Sequence, residues 1–190
     1  MLPASFPDGM EGNSNWMAYI LRAANFAADK HRNQRRKDEA ASPYINHPLA
    51  VASVLAHEAG IDDARVIAAA LLHDTIEDTD TTADEIGAFF GAEVASVVLE
   101  VTDDKSLPKA ERKRLQVEHA ATLSKPAKLV KLADKICNLR DILSSPPANW
   151  SAERKTNYFL WAAQVADRLR GTHQKLDALF DAEFATLPRK

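Results

Sequence analysis

The sequence predicts an all-α fold in which one domain forms a helical bundle. Alanine, leucine, lysine, arginine and glutamate are abundant, and these residues favour helices. Runs of alternating β-branched residues are almost absent, and no Asn-Gly or Asp-Gly pair separates two such runs as a hairpin would require. The length of 190 residues fits a single domain.

The amino-terminal segment differs in composition from the rest of the chain. Residues 1–15 hold Pro3, Pro7, Gly9 and Gly12, which disfavour regular structure. We therefore expect 1–15 to be a flexible lead-in and 16–190 to be the folded domain.

The first elements are placed by apolar periodicity and by breaking residues. A helix is predicted over 16–33, and a polar loop follows over 34–43. The second helix should begin near His47 or Pro48. It should stop at Gly60, because glycine commonly ends helices.

The third helix should carry its apolar residues towards a histidine. Asp62 or Asp63 can accept a capping hydrogen bond at its start, and the run leads to His73. The acidic segment 77–80 that follows is a poor helix interior.

Later elements are also marked by their caps. Thr82 and Glu85 have capping-box spacing, which predicts a short helix ending at Gly91. The remaining helices are predicted over 91–101, 108–123, 126–143 and 151–169, with a last one after Gly171.

The helix after Pro126 is the most informative, because both of its sides have a distinct character. Asp134, Asn138 and Asp141 align on one side, and apolar Val130 and Cys137 flank them. A helix that is apolar on both sides is expected to be buried on both, and a carboxylate there needs a partner such as a metal ion. The alternative is a solvated face. The opposite side is an apolar stripe of Leu129, Leu132, Ile136, Leu139 and Leu143.

Candidate metal ligands occur before that helix. His73 and Asp74 are adjacent at the end of an apolar run, and imidazole with carboxylate suits Mn²⁺, Fe²⁺ or Zn²⁺. His47 stands at a predicted helix start. Each of these is a weak signal alone, since an isolated histidine or His-Asp pair is commonly structural. The other histidines, His31, His57, His119 and His173, lack ligand spacing and are assigned to the surface or the core.

Acidic and basic side chains near those histidines could serve catalysis and phosphate binding. Glu77 and Asp78 could orient or deprotonate a water beside a metal, or they could form a solvated acidic turn. The loop at 32–37 is basic, as is 109–114, and guanidinium groups match phosphate oxygens. Each basic run could equally be a solvated face.

Composition excludes several classes of function. The net charge of −3 does not call for a nucleic-acid or anionic-membrane partner. The single cysteine, Cys137, allows no internal disulfide, and no signal peptide or membrane span is evident, so a cytoplasmic protein is expected. Glycine-rich phosphate loops, paired cysteines and a serine elbow are absent from the sequence.

Together the motifs resemble the HD-domain phosphohydrolases, and more narrowly the small alarmone hydrolases. These are similar to the hydrolase half of RelA/SpoT proteins, and within them the chain resembles the stand-alone metazoan-type SpoT homologues. The resemblance covers about residues 20–180. The segments that carry it are 31–37 (HRNQRRK), 43–48 (PYINHP), 71–79 (LLHDTIEDT), 101–105 (VTDDK) and 131–141 (KLADKICNLRD).

The resemblance implies an all-helical HD domain with Mn²⁺-dependent removal of the 3′-pyrophosphate from ppGpp or pppGpp, which gives GDP or GTP. It implies no organic cofactor. The chain carries no counterpart of the synthetase domain, so synthesis of ppGpp is not expected. The only partner implied is the nucleotide, with no nucleic acid or membrane, and a homo-oligomer is compatible with the sequence.

The same resemblance assigns roles to individual residues. Glu77 and Asp78 would position and activate the attacking water. The implied metal ligands are His47, His73, Asp74 and Asp134. The implied substrate contacts are Arg36, Lys37, Tyr44, Asn138, Arg154 and Tyr158.

Two other functions remain open on the sequence. The pocket could act on another phosphorylated nucleotide such as NADPH, because fold does not fix substrate. It could instead sense a nucleotide without turning it over, although all the implied ligands and both catalytic carboxylates are present together. The preference between ppGpp and pppGpp and the metal used in vivo are not decided by sequence.

Overall fold

The computed structural model describes residues 13–187, and in this part the chain forms helices joined by loops. The described residues form no β-strand, and isolated β-bridges pair Arg35 with Pro43 and Asp38 with Pro147. The predicted all-α fold is confirmed. Residues 1–12 of the expected lead-in lie outside the described residues. The helices are α1 (Asn13–Lys30), α2 (Asn46–Ser53), α3 (Ala64–Leu72), α4 (Thr75–Asp78), α5 (Ala83–Phe90), α6 (Ala92–Val101), α7 (Lys109–His119), α8 (Lys125–Ser144), α9 (Ala152–Leu169) and α10 (Gln174–Phe184).

Helix α3 lies at the centre of the bundle and packs against α1, α2, α6 and α8. Its residues are apolar around nearly the whole helix and are buried except for Arg65. Asp63 starts it as predicted, with its carboxylate accepting a hydrogen bond from the backbone N–H of Arg65 at 2.9 Å. This rigid helix ends directly at His73.

Helix α2 begins one residue before His47 and continues into a π-helical turn, Val54–Ala59. Gly60 ends it with φ of +78°, the left-handed conformation that glycine adopts at low cost. The predicted stop is therefore confirmed.

The acidic segment departs from the prediction, because α4 forms one helical turn where the sequence indicated a poor helix interior. The Thr75 hydroxyl donates to the Leu72 carbonyl at 2.7 Å, and the Thr79 hydroxyl donates to the Thr75 carbonyl at 2.6 Å. The first bond satisfies a carbonyl at the end of α3, and the second adds to the backbone hydrogen bond from the Thr79 N–H to the same Thr75 carbonyl. The turn orients Glu77 and Asp78.

Helix α8 is buried on two sides, as its pattern predicted. Val130 and Cys137 are buried together with Leu139, although Leu143 at the end of the apolar stripe is 39% exposed. Ser124 caps its start through the N–H of Ala127. Burial on both sides leaves Asp134 mostly buried, with 13% of its side chain exposed.

The loop between α1 and α2 is tied down by backbone hydrogen bonds. The N–H of Arg36 donates to the Ser42 carbonyl at 2.8 Å, and the N–H of Tyr44 donates to the Gln34 carbonyl at 3.2 Å. The N–H of Ala148 also donates to the Lys37 carbonyl at 2.9 Å. The loop is thus held against the segment that follows α8. Across the described residues, no helix is both long and apolar enough to cross a membrane.

The apolar stripe of α8 provides a matched pair for measuring core packing. Leu139→Ala should lower the free energy of unfolding by about 2–5 kcal/mol, because Leu139 is fully buried and truncation leaves a cavity. Leu143→Ala, one turn later and 39% exposed, should cost less than about 1 kcal/mol. Urea unfolding followed by circular dichroism measures both, and equal losses would contradict the packing described.

Candidate metal centre and active-site cleft

The four predicted metal ligands come together from three helices. His47 lies in the first turn of α2, His73 and Asp74 follow α3, and Asp134 lies in α8. His47 Nε2 is 3.1 Å from Asp134 Oδ1, and His73 Nε2 is 3.1 Å from Asp74 Oδ2. One donor atom from each of His47, His73 and Asp134 falls within 4.8 Å of the others. Asp74 Oδ2 lies beside this group, 4.0 Å from His47 Nε2.

A second set of contacts orients these ligands. His73 Nδ1 donates to the Ala70 carbonyl at 2.7 Å, which leaves Nε2 facing the carboxylates. The Tyr44 hydroxyl donates to Asp74 Oδ2 at 2.7 Å. Such bonds fix the tautomer of the imidazole and the rotation of the carboxylate.

Asp134 is held by its neighbours on α8. Asn138 Nδ2 donates to Asp134 Oδ1 at 2.5 Å, and Lys135 Nζ donates to Oδ2 at 2.9 Å. Lys135 is buried, and its ammonium also lies 4.6 Å from the centroid of the Trp161 ring. Burial opposes ionisation of Asp134, but Lys135 and His47 outweigh it and hold the carboxyl pKa well below its usual range.

The donor set fits a divalent cation. His73 Nε2 is buried without a hydrogen-bond partner, although it faces Asp74 Oδ2 at 3.1 Å and Asp134 Oδ1 at 3.9 Å. Burial lowers the pKa of His73, but the two carboxylates outweigh it and raise that pKa to about 9. The centre therefore favours positive charge between its nitrogen and oxygen atoms, and this mixture of ligands suits a borderline divalent ion.

Glu77 lies beside the centre in a partly buried position. Its Oε2 accepts a hydrogen bond from the N–H of Asp103 at 3.2 Å, and Arg112 Nη1 lies 3.7 Å from Oε1. Burial, together with the carboxylates of Asp74 and Asp103, raises the pKa of Glu77 to about 7. A carboxylate with such a pKa can accept a proton near neutral pH.

Asp78 is oriented by two side chains from different parts of the chain. Gln34 Nε2 donates to Asp78 Oδ2 at 2.7 Å, and Lys105 forms an ion pair with Oδ1. The carboxylate is mostly buried, with 16% of its side chain exposed. Both candidate catalytic carboxylates therefore have defined orientations.

A cleft with two lobes surrounds these residues. The larger lobe has a volume of about 700 Å³ and the smaller about 220 Å³. They meet beside the predicted metal centre, since both are lined by Arg36, Tyr44, His47, Glu77, Arg112, Asn138 and Tyr158. The other three predicted ligands, His73, Asp74 and Asp134, line the smaller lobe. That lobe is also rich in cations, which are Arg36, Lys109, Arg112, Lys113, Lys131 and Lys135.

The predicted substrate residues lie at the larger lobe or next to it. Those that line it are Arg36, Lys37, Tyr44, Asn138 and Tyr158. Arg154 is exposed, and its guanidinium carbon lies 4.5 Å from the centroid of the Trp150 ring, which does line the lobe. Arg154 thus reaches the cleft through Trp150.

Sequence reasoning gave no role to several residues that the structure brings to the site. Asp141 forms an ion pair with Arg36 and lies 3.7 Å from His47 Nδ1, a position consistent with its alignment with Asp134 along α8. The buried lysines of α8 had no such signal, because a lysine beside an aspartate in sequence is usually solvated. His31, assigned to the surface or the core, is buried and contacts Gln34.

Comparison with known proteins places this geometry in a class. Residues 23–172 match the family model described as the HD domain. The chain is therefore a member of the HD-domain family. It also superposes on a Listeria monocytogenes protein, lmo0812, with a TM-score of 0.57 and 29% identity, covering 75% of this chain and 98% of that one.

More similar relatives define the particular group. The MESH1 protein of Xenopus tropicalis, named a guanosine-3′,5′-bis(diphosphate) 3′-pyrophosphohydrolase, is 59% identical over 88% of this chain and 93% of its own length. The human MESH1 protein is 61% identical over 84% of this chain and 89% of its own. A solved structure described as a metazoan ortholog of SpoT that hydrolyzes ppGpp gives a TM-score of 0.86 at 47% identity, covering 96% and 98% of the two chains. The chain belongs to the MESH1 family.

The bond from Tyr44 to Asp74 can be tested without a substrate. Tyr44→Phe should weaken binding of a divalent cation, with Mn²⁺ as the probe, by about 10- to 100-fold, because the carboxylate of the predicted ligand Asp74 loses the group that orients it. Isothermal titration calorimetry measures the affinity. Tyr19→Phe is the matched control, since that hydroxyl donates to the Phe90 carbonyl away from the centre. Equal affinities for wild type and Tyr44→Phe would contradict this role.

Proposed function

We propose that this protein is a metal-dependent phosphohydrolase that removes the 3′-pyrophosphate from ppGpp or pppGpp. Water adds to the phosphorus that is bonded to the ribose 3′ oxygen, and the bond between them breaks. The 3′ oxygen takes up a proton, so that GDP or GTP forms with pyrophosphate. The observation that carries the proposal is the juxtaposition of a His-Asp cation centre, the Glu77–Asp78 pair and a cationic lobe. The activity named for the MESH1 relatives supports it.

The ion we infer is Mn²⁺, held by His47, His73, Asp74 and Asp134. A bound divalent ion lowers the pKa of a water and stabilises charge developing on phosphoryl oxygens. The buried, unpartnered Nε2 of His73 and the two nearby carboxylates support this assignment.

The carboxylates of α4 would act on the water. Glu77 accepts its proton, and Asp78 orients it by accepting a hydrogen bond. Their different surroundings support this division, because Glu77 has a raised pKa whereas Asp78 is paired with Lys105 and Gln34.

The smaller lobe suits the 3′-diphosphate because the lysines and arginines that line it outnumber the carboxylates that line it. Among the described residues, no carboxylate lies within salt-bridge distance of Lys109 or Lys113. Burial and neighbouring cations lower the pKa of both lysines. Lys113 Nζ lies 4.4 Å from the centroid of Trp161, the ring that also contacts Lys135. An anionic diphosphate would relieve this repulsion.

The larger lobe suits the rest of the nucleotide. Trp150 and Tyr158 have ring centroids 5.7 Å apart and offer apolar surface to the guanine base. Arg36 and Lys37 can offset the charge of the 5′-phosphates. We further infer a cytoplasmic location, which the single free cysteine supports.

Substrate choice is tested by a panel assayed with Mn²⁺. We expect ppGpp and pppGpp to be turned over with higher kcat/KM than NADPH, GMP or GTP, because the substrate must fill a cationic lobe as well as the nucleotide lobe. Release of GDP or GTP is followed by chromatography. Faster turnover of NADPH would replace the proposed substrate, and tight binding of intact ppGpp would favour a sensor.

Removing the proposed base should stop the reaction without removing the ion. Glu77→Gln should lower kcat by about 10²- to 10⁴-fold, the usual contribution of a positioned general base. Mn²⁺ affinity should be little changed. Glu93→Gln, on the exposed face of α6, serves as the control. Wild-type kcat in Glu77→Gln would exclude Glu77 as the base.

The pH profile should report the same group. A base acts when deprotonated, so kcat should fall as pH drops through the pKa of Glu77. That pKa is about 7 in the metal-free protein, and a cation beside Asp74 lowers it, so the midpoint should lie at or below that pH. Steady-state kcat measured across pH at saturating Mn²⁺ gives the midpoint of this fall. A midpoint well above pH 7 would contradict the assignment of Glu77 as the base.

A further inference from the structure

His31 is a buried polar residue without an assigned role. It follows the last residue of α1 and is 2% exposed. Its ring centroid lies 4.9 Å from that of Tyr44, the residue that orients Asp74. A histidine this buried needs a hydrogen-bonding partner, because burying an unpaired polar group costs free energy.

The partner of His31 is Gln34, and the direction of their hydrogen bond follows from Asp78. An ionised carboxylate only accepts hydrogen bonds, so the atom of Gln34 that lies 2.7 Å from Asp78 Oδ2 must be the amide nitrogen Nε2. The amide oxygen Oε1 then faces His31 Nδ1 at 2.7 Å and can only accept. His31 must therefore carry a proton on Nδ1.

The remaining nitrogen of His31 is consistent with this direction. Nε2 is buried and has no hydrogen-bond partner among the described residues. An unprotonated Nε2 without a partner costs less free energy than an N–H without a partner, since buried donors are rarely left unpaired. The chain of bonds thus runs from His31 through Gln34 to Asp78.

The other contact of Asp78 is less well anchored. Lys105 lies in the loop before α7, and 48% of its side chain is exposed. Exposed ion pairs contribute little to a fixed geometry. Gln34 is therefore the interior anchor for this carboxylate, and His31 fixes the rotation of the Gln34 amide.

We propose that His31 and Gln34 are positioning residues that fix the Asp78 carboxylate for its work on the attacking water. This inference rests on the proposed hydrolase function. His31 acts on Asp78 through Gln34, whereas its packing on Tyr44 is a separate contact that leads to Asp74.

Kinetics of paired variants separate these two routes. His31→Leu and Gln34→Met should each lower kcat for ppGpp by about 10- to 100-fold, with KM within about twofold of wild type. His31→Asn keeps an N–H donor near the position of Nδ1 and should retain most of the wild-type kcat. In the Gln34→Met background, His31→Leu should have no further effect on kcat, because the chain of hydrogen bonds from His31 to Asp78 is already broken.

Controls on the surface complete the design. His57→Leu and Gln164→Met change exposed residues of the same types and should leave kcat unchanged. If the losses in kcat of His31→Leu and Gln34→Met multiply in the double variant, His31 does not act through Gln34 and the proposal is overturned. Loss of Mn²⁺ affinity in His31→Leu, with kcat retained at saturating Mn²⁺, would also overturn it and assign His31 to the Tyr44 route.

A measurement without substrate tests the chain of hydrogen bonds from His31 to Asp78 independently of the hydrolase function. Protein labelled with ¹⁵N-histidine should show His31 with its proton on Nδ1 in two-bond ¹H–¹⁵N correlation spectra, the signal being assigned by its loss in His31→Asn. Gln34→Met should shift this signal. A proton found only on Nε2 of His31 would overturn the proposal even if ppGpp is hydrolysed, whereas failure of wild type to hydrolyse ppGpp would overturn only the proposed function.

Discussion

Two largely buried carboxylates beside two buried imidazoles set the constraint on which the site depends. Asp74 and Asp134, with 18% and 13% of their side chains exposed, face His47 and His73. Burying such charges is costly unless positive charge and hydrogen bonds compensate. Lys135 compensates one oxygen of Asp134. The oxygens directed at the histidines accept hydrogen bonds from Asn138 and Tyr44, which are neutral, so they can still bind a cation. The fold thus brings together a set of nitrogen and oxygen atoms that suits a divalent ion.

The apolar core holds this arrangement in place. Helix α3 is buried on nearly all sides and packs against α8, so the ends of these helices have little freedom. The backbones of His73, at the end of α3, and Asp134, within α8, are therefore held in place by this packing. The histidine is then oriented by the Ala70 carbonyl, and Asp74 by Tyr44. Catalytic sites built on rigid elements with such support keep their geometry closely.

Carboxylates and cations line the same smaller lobe of the cleft, as the proposed chemistry requires. The carboxylates are those of Asp74, Glu77, Asp103 and Asp134, and the cations beside them include Lys109, Arg112 and Lys113. Glu77 lies where the two meet, and its raised pKa results from burial and neighbouring carboxylates. Its contact with Arg112 links the acidic group to the cationic lobe. A base and an anion-binding surface are therefore adjacent.

Local features of this protein were decided by its sequence, and distant contacts by its tertiary structure. The caps at Asp63 and Thr82 and the stop at Gly60 depend on residues a few positions away, so the helices could be predicted. The candidate ligands were found through motifs, but the pairing of His47 with Asp134 spans 87 residues and needs the packed bundle. Sequence pattern gave no sign of the helical turn of α4, the buried lysines of α8 or the bonds of His31. Each of these results from burial and partners supplied by other helices, which local periodicity does not encode.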